Sequence, residues 1–317
     1  MQEHTRTQII QTIDCKPPFD FALSAHILAD GDPQIAKYDG TVYRQVLRVG
    51  GKLLLATVAS IGSVDSPQLR AAFTSDRPLT DRDASEAHAV ISSVFNARLD
   101  VKPFYHAIRS DPVMAELSSK LRGLKNPATA TVFQALVDSI IEQQISLNVA
   151  HVLQRRVIKA FGDVLVVDRN TYYAFPTPER VALASVDGIR RCGLSRRKAE
   201  YITGIAARIA AQAMDLERLR QYGETQMILD SLCSLRGVGV WTAELTAIRG
   251  LNRLDVFPAD DLGLRRWVAH YYCSERTITS AQARGIAEQW GKWKGLAGYY
   301  LVVAGLLKIT TKAQNAT

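Results

Sequence analysis

The sequence predicts a two-part fold, with an α+β domain over residues 1–105 followed by an all-α domain over residues 106–317. Two observations support this prediction. The first hundred residues contain β-branched apolar runs, whereas the rest shows helical periodicity interrupted by short breaks containing Pro or Gly. A chain of 317 residues is also long enough to form more than one domain.

The N-terminal domain is predicted from two strands and a helix. The strands cover residues 41–49 and 52–62, and the Gly-Gly dipeptide between them suits a tight hairpin turn. A helix over residues 80–99 follows, with Thr80 as its cap and apolar residues at helical spacing. Strands followed by a helix favour a sheet that is covered on one side.

The second domain is predicted from helix caps. Asn126-Pro127 should open a long helix that ends near Gly162. Thr177-Pro178 and Ser195 should begin two more helices. Beyond these, the sequence predicts helices over residues 225–236, 240–251 and 262–272.

Composition narrows the classes of function. The net charge of +8 and the pI near 9.3 point weakly to a polyanionic partner. The first residues lack the apolar core of a signal peptide, and no later run reaches the roughly 20 apolar residues of a membrane span. Four cysteines without a Cys-x-x-Cys pair argue against zinc, an iron–sulfur cluster and a disulfide framework, and we expect buried or partly buried thiols.

A glycine turn separates two of the predicted helices at Gly237-Val238-Gly239. Glycines tolerate positive φ and leave backbone N–H groups uncovered, so several N–H groups can converge on one phosphate oxygen. The helix dipole and the Thr242 hydroxyl would assist such binding. A C-cap glycine followed by an ordinary turn explains an isolated Gly-x-Gly equally well.

The stretch LRGVGVWTAELTAIRGL followed by VFPADD resembles the helix-hairpin-helix, Gly/Pro-rich loop and catalytic aspartate of the base-excision DNA glycosylases, and within them the DNA-3-methyladenine glycosylase II family. The segments FQALVDSIIEQQIS, FPTPE and GLSRRKAEYI extend the resemblance over most of the chain. It implies an N-terminal domain of the TATA-binding-protein-like type and a helical domain with the active site in a cleft.

The resemblance assigns the catalytic role to Asp261 and leaves Asp260 to capping or to positioning of the DNA backbone. A fixed carboxylate can stabilise the oxocarbenium-like sugar that forms when an N-glycosidic bond breaks. A position at a helix N-terminus tends to keep it ionised. Without the hairpin upstream, the two aspartates would be explained as an N-cap and a first-turn acid of the helix over residues 262–272.

Trp241 decides between two mechanisms that the resemblance allows. Bifunctional members of the superfamily carry a lysine just after the hairpin, which forms a Schiff base with the sugar. Indole cannot form an imine, so Trp241 favours a monofunctional enzyme that uses water. A core tryptophan is the alternative, although a wall residue can also stack on a flipped base. When the pocket positions of the family are carried over to this sequence, the predicted base pocket consists of Trp241, Leu245, Leu262 and Val302.

The predicted DNA contacts surround the hairpin and one loop. The resemblance implies that a loop side chain fills the gap left by the extruded base, with Gln143 and Gln144 as candidates, and an amide that joins two helices as the alternative. A basic cluster at residues 190–198 is either a solvated face or an extension of the phosphate contacts. The full set of predicted DNA-binding residues is Gly237, Val238, Gly239, Thr242, Gln143, Gln144 and Asp260.

The resemblance implies no redox cofactor, but a monovalent cation, Na⁺ or K⁺, on the backbone carbonyls of Leu235 and Val238. The expected partner is duplex DNA that contains a damaged base, and no membrane association is expected. The expected oligomeric state is a monomer. The expected location is the cytoplasm, with association with the nucleoid if the protein is bacterial. The expected activity is excision of 3-methyladenine and 7-methylguanine. Two alternatives stay open: a specificity for uracil, deaminated or oxidised bases, and a non-catalytic helix-hairpin-helix DNA-binding module.

Overall fold

The computed structural model describes residues 6–29 and 31–312. Its N-terminal part contains a five-stranded antiparallel sheet in the order β1-β5-β4-β3-β2. Two helices, α1 and α2, pack against this sheet. The elements are β1 Arg6–Asp14, α1 Phe21–Leu28, β2 Ala36–Tyr38, β3 Val42–Val49, β4 Lys52–Ser60, β5 Gln68–Leu79 and α2 Asp81–Val94.

The predicted hairpin and helix of this part are confirmed. Val49 pairs with Lys52 around the glycine turn, and both glycines have positive φ (54° and 76°), as a two-residue hairpin turn requires. Thr80 caps α2 in a reciprocal capping box with Asp83. The helix ends at Val94, five residues before the predicted end. The more specific likeness to a TATA-binding-protein-like domain stays a prediction.

The remainder of the described chain is mainly helical, as predicted. Two short 3₁₀ helices lie at Glu217–Gln221 and Glu288–Trp293. The α-helices are α3 Lys102–Ala107, α4 Pro112–Lys120, α5 Val132–Glu142, α6 Leu147–Phe161, α7 Pro178–Ala182, α8 Val186–Arg190, α9 Arg196–Ala210, α10 Thr225–Cys233, α11 Val240–Leu251, α12 Leu262–Tyr272, α13 Ser280–Ala287 and α14 Lys294–Leu306.

The prediction of an all-α second domain is wrong at one place. Strands β6 Val164–Val167 and β7 Asn170–Tyr173 form a two-stranded antiparallel hairpin between α6 and α7. Leu165 of this hairpin is fully buried and packs with Val46 and Leu55 of the N-terminal sheet. The hairpin is thus stabilised by a long-range apolar contact that helix caps and periodicity do not show.

The predicted long helix over residues 126–162 is also wrong, because it is two helices. The first, α5, is capped by Thr131 rather than by Asn126. Gln144 interrupts the helical path with a φ of +56°, and Ser146 caps the second helix, α6. Both new caps bind their helices through a side-chain oxygen, and the predicted end at Gly162 is confirmed.

Two apolar cores lie in the helical part. One is built by residues 132–256, mainly from α5 to α11, and the other joins residues 101–124 to residues 254–304. The loop between α11 and α12 passes from the first core to the second. The core of the N-terminal sheet ends at Ala97. The predicted boundary between residues 105 and 106 stays a prediction, and it falls inside α3.

The four cysteine thiols differ in how deeply they are buried. Cys15 and Cys192 are buried and Cys273 is partly buried, but Cys233 is exposed at the end of α10. The expectation that all four thiols are at least partly buried is therefore wrong for Cys233.

None of the helices within residues 6–29 and 31–312 is long and apolar enough to cross a membrane.

Candidate active site

The glycine turn between α10 and α11 has two glycines with different roles. Gly237 has a φ of +88°, and a Cβ added there would lie 2.1 Å from the ring of Tyr201. Gly239 is the exposed N-cap of α11, and a Cβ added there would meet no atom within 4 Å. No side chain caps the first turn of α11 among the described residues. Its N–H groups can therefore donate hydrogen bonds to an external ligand.

Gln143 fixes the loop after α5 to this turn. Its Nε2 donates to the carbonyl of Gly237 (2.9 Å) and to the hydroxyl of Thr242 (3.0 Å). Lys198 completes the junction, since its Nζ donates to the carbonyls of Gln143 (2.6 Å) and Ile141 (2.9 Å). Burial lowers the pKa of Lys198. This lysine of the basic cluster thus supports the loop and does not belong to a solvated face.

Two predicted DNA contacts are corrected by these bonds. Thr242 is only 2% exposed and its hydroxyl is engaged by Gln143, so the hydroxyl is not available to a phosphate. Gln143 is likewise committed to the turn, which is the helix-joining role that the sequence left open. Gln144 is exposed at the end of the loop, where positive φ turns it away from α5. Of the two glutamines, Gln144 is the more exposed.

Asp261 is the N-cap of α12, one residue later than the cap expected at Asp260. Its Oδ1 accepts the backbone N–H of Leu264 (2.7 Å), and its Oδ2 accepts the indole N–H of Trp241 (3.2 Å). The residue is half-buried. The carboxylate is therefore oriented through both oxygens while part of it stays open to solvent, and the two residues to which the sequence assigns the chemistry are in direct contact.

Asp260 does not cap the helix, so the capping alternative for this residue is wrong. It is exposed and accepts a hydrogen bond from the hydroxyl of Ser280 (2.6 Å), to which Arg265 also donates (2.9 Å). These bonds attach the segment before Asp261 to the start of α13. Asp260 thereby helps to fix the loop that carries the candidate catalytic carboxylate.

Two carboxylates that the sequence reasoning missed brace α11. Glu244 is buried and accepts from Arg284 of α13 (2.9 Å), and burial raises its pKa while Arg284 opposes that rise. Glu142 of α5 accepts from Arg249 through both oxygens (2.7 and 2.8 Å). Removing one partner of such a pair leaves an uncompensated charge. The pairs hold α5, α11 and α13 in one frame around Trp241.

The members of the predicted base pocket differ in their exposure to solvent. Leu245 is buried on α11, and Val302 is partly buried on α14. Leu262 is 75% exposed and lines a cavity of about 350 Å³ along α12 with residues of the following loop. The predicted grouping of Leu262 with the other pocket residues is therefore not supported.

Tyr299 is a further candidate residue of the site that the sequence reasoning missed. It lies three residues before Val302 on α14, its ring is partly buried, and its hydroxyl forms no hydrogen bond with a described residue. Burial raises its pKa, and the charge of Arg249 partly offsets that rise. Arg249 in turn interacts electrostatically with Asp261. A neutral phenol thus lies near the candidate site.

The predicted cation site consists of backbone carbonyls. The carbonyl of Leu235 accepts the N–H of Val238 (3.1 Å), which leaves one of its lone pairs for a cation. Neutral carbonyl oxygens suit Na⁺ or K⁺, so the residues fit the implied ion. Within the described residues, no group of three or more His, Cys, Asp or Glu could hold a metal. A cation on Leu235 and Val238 stays a prediction.

Comparison with known proteins identifies the helical part. Residues 137–292, which include the turn, Trp241 and Asp261, match the family model described as HhH-GPD superfamily base excision DNA repair protein. This segment is thus similar to proteins of the HhH-GPD superfamily. The chain is 27% identical over 264 residues to a DNA-3-methyladenine glycosylase of Bacillus subtilis, a match that covers 83% of this chain and 86% of that protein.

Two further similarities extend beyond the HhH-GPD segment. The chain is 25% identical over 289 residues to DNA-3-methyladenine glycosylase 2 of Escherichia coli, which covers 90% of this chain and 94% of that protein. The solved structure of the 3-methyladenine DNA-glycosylase from Archaeoglobus fulgidus superimposes with a TM-score of 0.82 at 26% identity, over 95% of this chain and 100% of that chain. The sequence resemblance is thereby confirmed, and the chain is a glycosylase of base excision repair.

Proposed function

We propose that the chain is a monofunctional glycosylase that removes alkylated purines from duplex DNA by hydrolysing the N-glycosidic bond of a flipped nucleotide. The observation that carries the proposal is the pairing of Asp261 with Trp241, 3.2 Å between Oδ2 and Nε1, directly behind the glycine turn. A carboxylate, an aromatic wall and exposed N–H groups meet there, which is what base excision requires.

Asp261 acts on the sugar. As the bond between C1′ and the base nitrogen breaks, the electron pair leaves with the base and positive charge develops on the sugar. The carboxylate stabilises that charge because two hydrogen bonds already fix its orientation, so little reorganisation is needed in the transition state. A water then adds to C1′ and loses its proton, which leaves a free base and an abasic site.

Trp241 supports a mechanism without strand cleavage. Its indole stands where an attacking amine would be needed, and its N–H is engaged by Asp261. The expected product is therefore an intact abasic site. Treatment of the reaction with borohydride should trap no protein–DNA adduct, and a covalent complex on a denaturing gel would show that a lysine acts as nucleophile.

The turn and the loop after α5 would hold the DNA. The uncapped N–H groups at Gly239 and the start of α11 suit a phosphate oxygen, aided by the helix dipole. Gln144 is exposed next to Gln143, and we propose that it fills the gap left by the extruded base. Since Gln143 ties this loop to Gly237, the two contacts are held at a fixed separation.

The substrates we propose are 3-methyladenine and 7-methylguanine. Cationic purines stack well on aromatic faces and have labile glycosidic bonds, so they need little activation as leaving groups. At the positions carried over by motif, Trp241 supplies a ring, but Leu245 and Val302 are aliphatic. We therefore expect slow excision of hypoxanthine, which is neutral and needs more help to leave.

A base-release assay tests this proposal. Matched duplexes would each contain one 3-methyladenine, 7-methylguanine, hypoxanthine, uracil or 8-oxoguanine, and the free base would be quantified under single-turnover conditions. The two methylated purines should be released fastest. Faster release of uracil or 8-oxoguanine would assign another specificity to the same scaffold, and binding without release of any base would contradict the enzymatic proposal.

A further inference from the structure

A basic groove lies beside α6, away from the glycine turn. Its volume is about 750 Å³, and four cationic side chains line it together with Asp32 and several apolar groups. Asp32 is paired with Lys159 (2.8 Å) and also interacts electrostatically with Arg155, so its charge acts on two of the four cations. We call it the Arg156 groove, and its cations are Arg155, Arg156, Lys159 and Arg191.

Arg156 and Arg191 both line this groove. Both act electrostatically on the buried thiol of Cys192, whose pKa is raised by burial and lowered by their charges. The arginines lie close to two glycines. If these glycines carried a Cβ atom, Arg156 Nη1 would lie 3.2 Å from that of Gly193, and Arg191 Nη2 would lie 3.7 Å from that of Gly188.

Both arginines are exposed, and neither forms an ion pair with another described residue. Two like charges held together without a counter-charge repel each other, and an anion between them relieves that repulsion.

The groove lies further along α6 from the loop that carries Gln144. Arg156 follows Ser146 along α6 by about 15 Å, and Ser146 adjoins Gln144. Arg191 precedes the start of α9, where Lys198 holds the carbonyl of Gln143. Along a DNA axis, 15 Å corresponds to about four base pairs. A duplex held at the glycine turn therefore extends far enough to bring further phosphates to the groove.

We propose that the Arg156 groove binds the phosphate backbone of duplex DNA that flanks the lesion. The inference rests on the proposed function, because it takes duplex DNA as the partner. Its two unpaired guanidinium groups can each neutralise one phosphate, which adds affinity without sequence preference. The groove would hold the enzyme on undamaged DNA and set its register relative to the nucleotide to be flipped.

The test compares the salt dependence of binding for two double variants of the full chain. Arg156→Gln with Arg191→Gln removes the proposed contacts. Arg70→Gln with Arg77→Gln removes the same charge from exposed positions on β5. On an undamaged 25-base-pair duplex, the plot of log K against log salt should become shallower by about 2 for the groove variant, since each lost phosphate contact removes about 0.9 from the slope.

Two outcomes would overturn the inference. One is a slope for the groove variant equal to that of the β5 variant. The other is a difference that persists when the duplex is trimmed to three base pairs on each side of the centre, because the groove should not be reached by so short a duplex. Base release is measured separately with the unaltered chain, so a failure of the proposed function is distinguished from a failure of the groove.

Discussion

At the scale of single residues, Asp261 combines a structural and a proposed chemical role. One oxygen caps α12 and the other accepts the indole N–H of Trp241. The same placement that stabilises the fold would therefore hold a carboxylate where positive charge develops on the sugar.

Replacing Asp261 by Asn separates these roles. Asn caps helices about as well as Asp, so the free energy of unfolding should change by less than about 1 kcal/mol. Excision of 3-methyladenine should fall by about 100-fold or more, because the developing cation loses its counter-charge. Single-turnover kinetics and urea denaturation measure the two effects.

Asp255→Asn is the matched control for that experiment. Asp255 is an exposed carboxylate on the same loop, and its replacement removes the same charge. Its excision rate should stay close to that of the unaltered chain. A similar rate for the Asp261 and Asp255 variants would contradict the catalytic assignment of Asp261.

At the scale of elements, the turn before α11 depends on Gly237 for its shape and on Gly239 for its openness. Gly237 combines positive φ with close approach to Tyr201, whereas Gly239 has a φ of −97° and free space around its Cα. The two positions therefore tolerate a methyl group differently, although they are only two residues apart.

Alanine at each position should give opposite results. Gly237→Ala should lower the free energy of unfolding by about 2 to 4 kcal/mol, since the methyl group collides with Tyr201 and the backbone conformation is unfavourable. Gly239→Ala should keep the stability within about 1 kcal/mol but weaken DNA binding, because its Cβ would stand where the phosphate approaches. Chemical denaturation and fluorescence anisotropy measure these effects. Equal stability of the two variants would contradict the packing explanation.

At the scale of the whole molecule, Lys125 joins the N-terminal sheet region to the helical part. It is 1% exposed, and its Nζ donates to the carbonyls of Lys16 (2.8 Å) and Ala97 (2.9 Å). The ammonium also lies 5.1 Å from the ring centroid of Phe19. Burial lowers its pKa to about 8, whereas burial raises the pKa of the nearby Cys15 to about 11.

These shifts predict how stability depends on pH. Between pH 8 and the ordinary lysine pKa of about 10.4, the unfolded chain binds more protons at Lys125 than the folded chain, so this residue makes stability rise with pH. Cys15 acts in the opposite sense above about pH 9, because its folded pKa is raised. A Cys15→Ala background therefore isolates the lysine.

Two proteins are compared: the Cys15→Ala variant and the double variant Cys15→Ala, Lys125→Met. From pH 7.5 to 10, the free energy of unfolding of the first should rise relative to that of the second, by up to about 3 kcal/mol. Urea denaturation at several pH values measures this difference, in which titrations common to the two proteins cancel. Parallel pH profiles would show that Lys125 is not held with a lowered pKa in the folded chain.

The sequence alone determined the features that depend on neighbouring residues. The caps at Thr80, Thr177 and Ser195 form as predicted, because an N-cap oxygen binds a backbone N–H only three residues ahead. The cap before α12 also forms, but Asp261 supplies it instead of Asp260. The glycine turns and the bounds of α11 and α12 follow for the same reason. The contact between Trp241 and Asp261 was not predicted, since it spans a loop.

The tertiary structure decided which of the predicted site residues are buried and which groups they contact. Thr242 is buried, Gln143 is committed to the turn and Leu262 faces outward, although the sequence gives no sign of these orientations. Leu165 forms a strand because the N-terminal sheet covers it. Each outcome depends on groups far away in the chain, where burial and competing hydrogen-bond partners outweigh local preference.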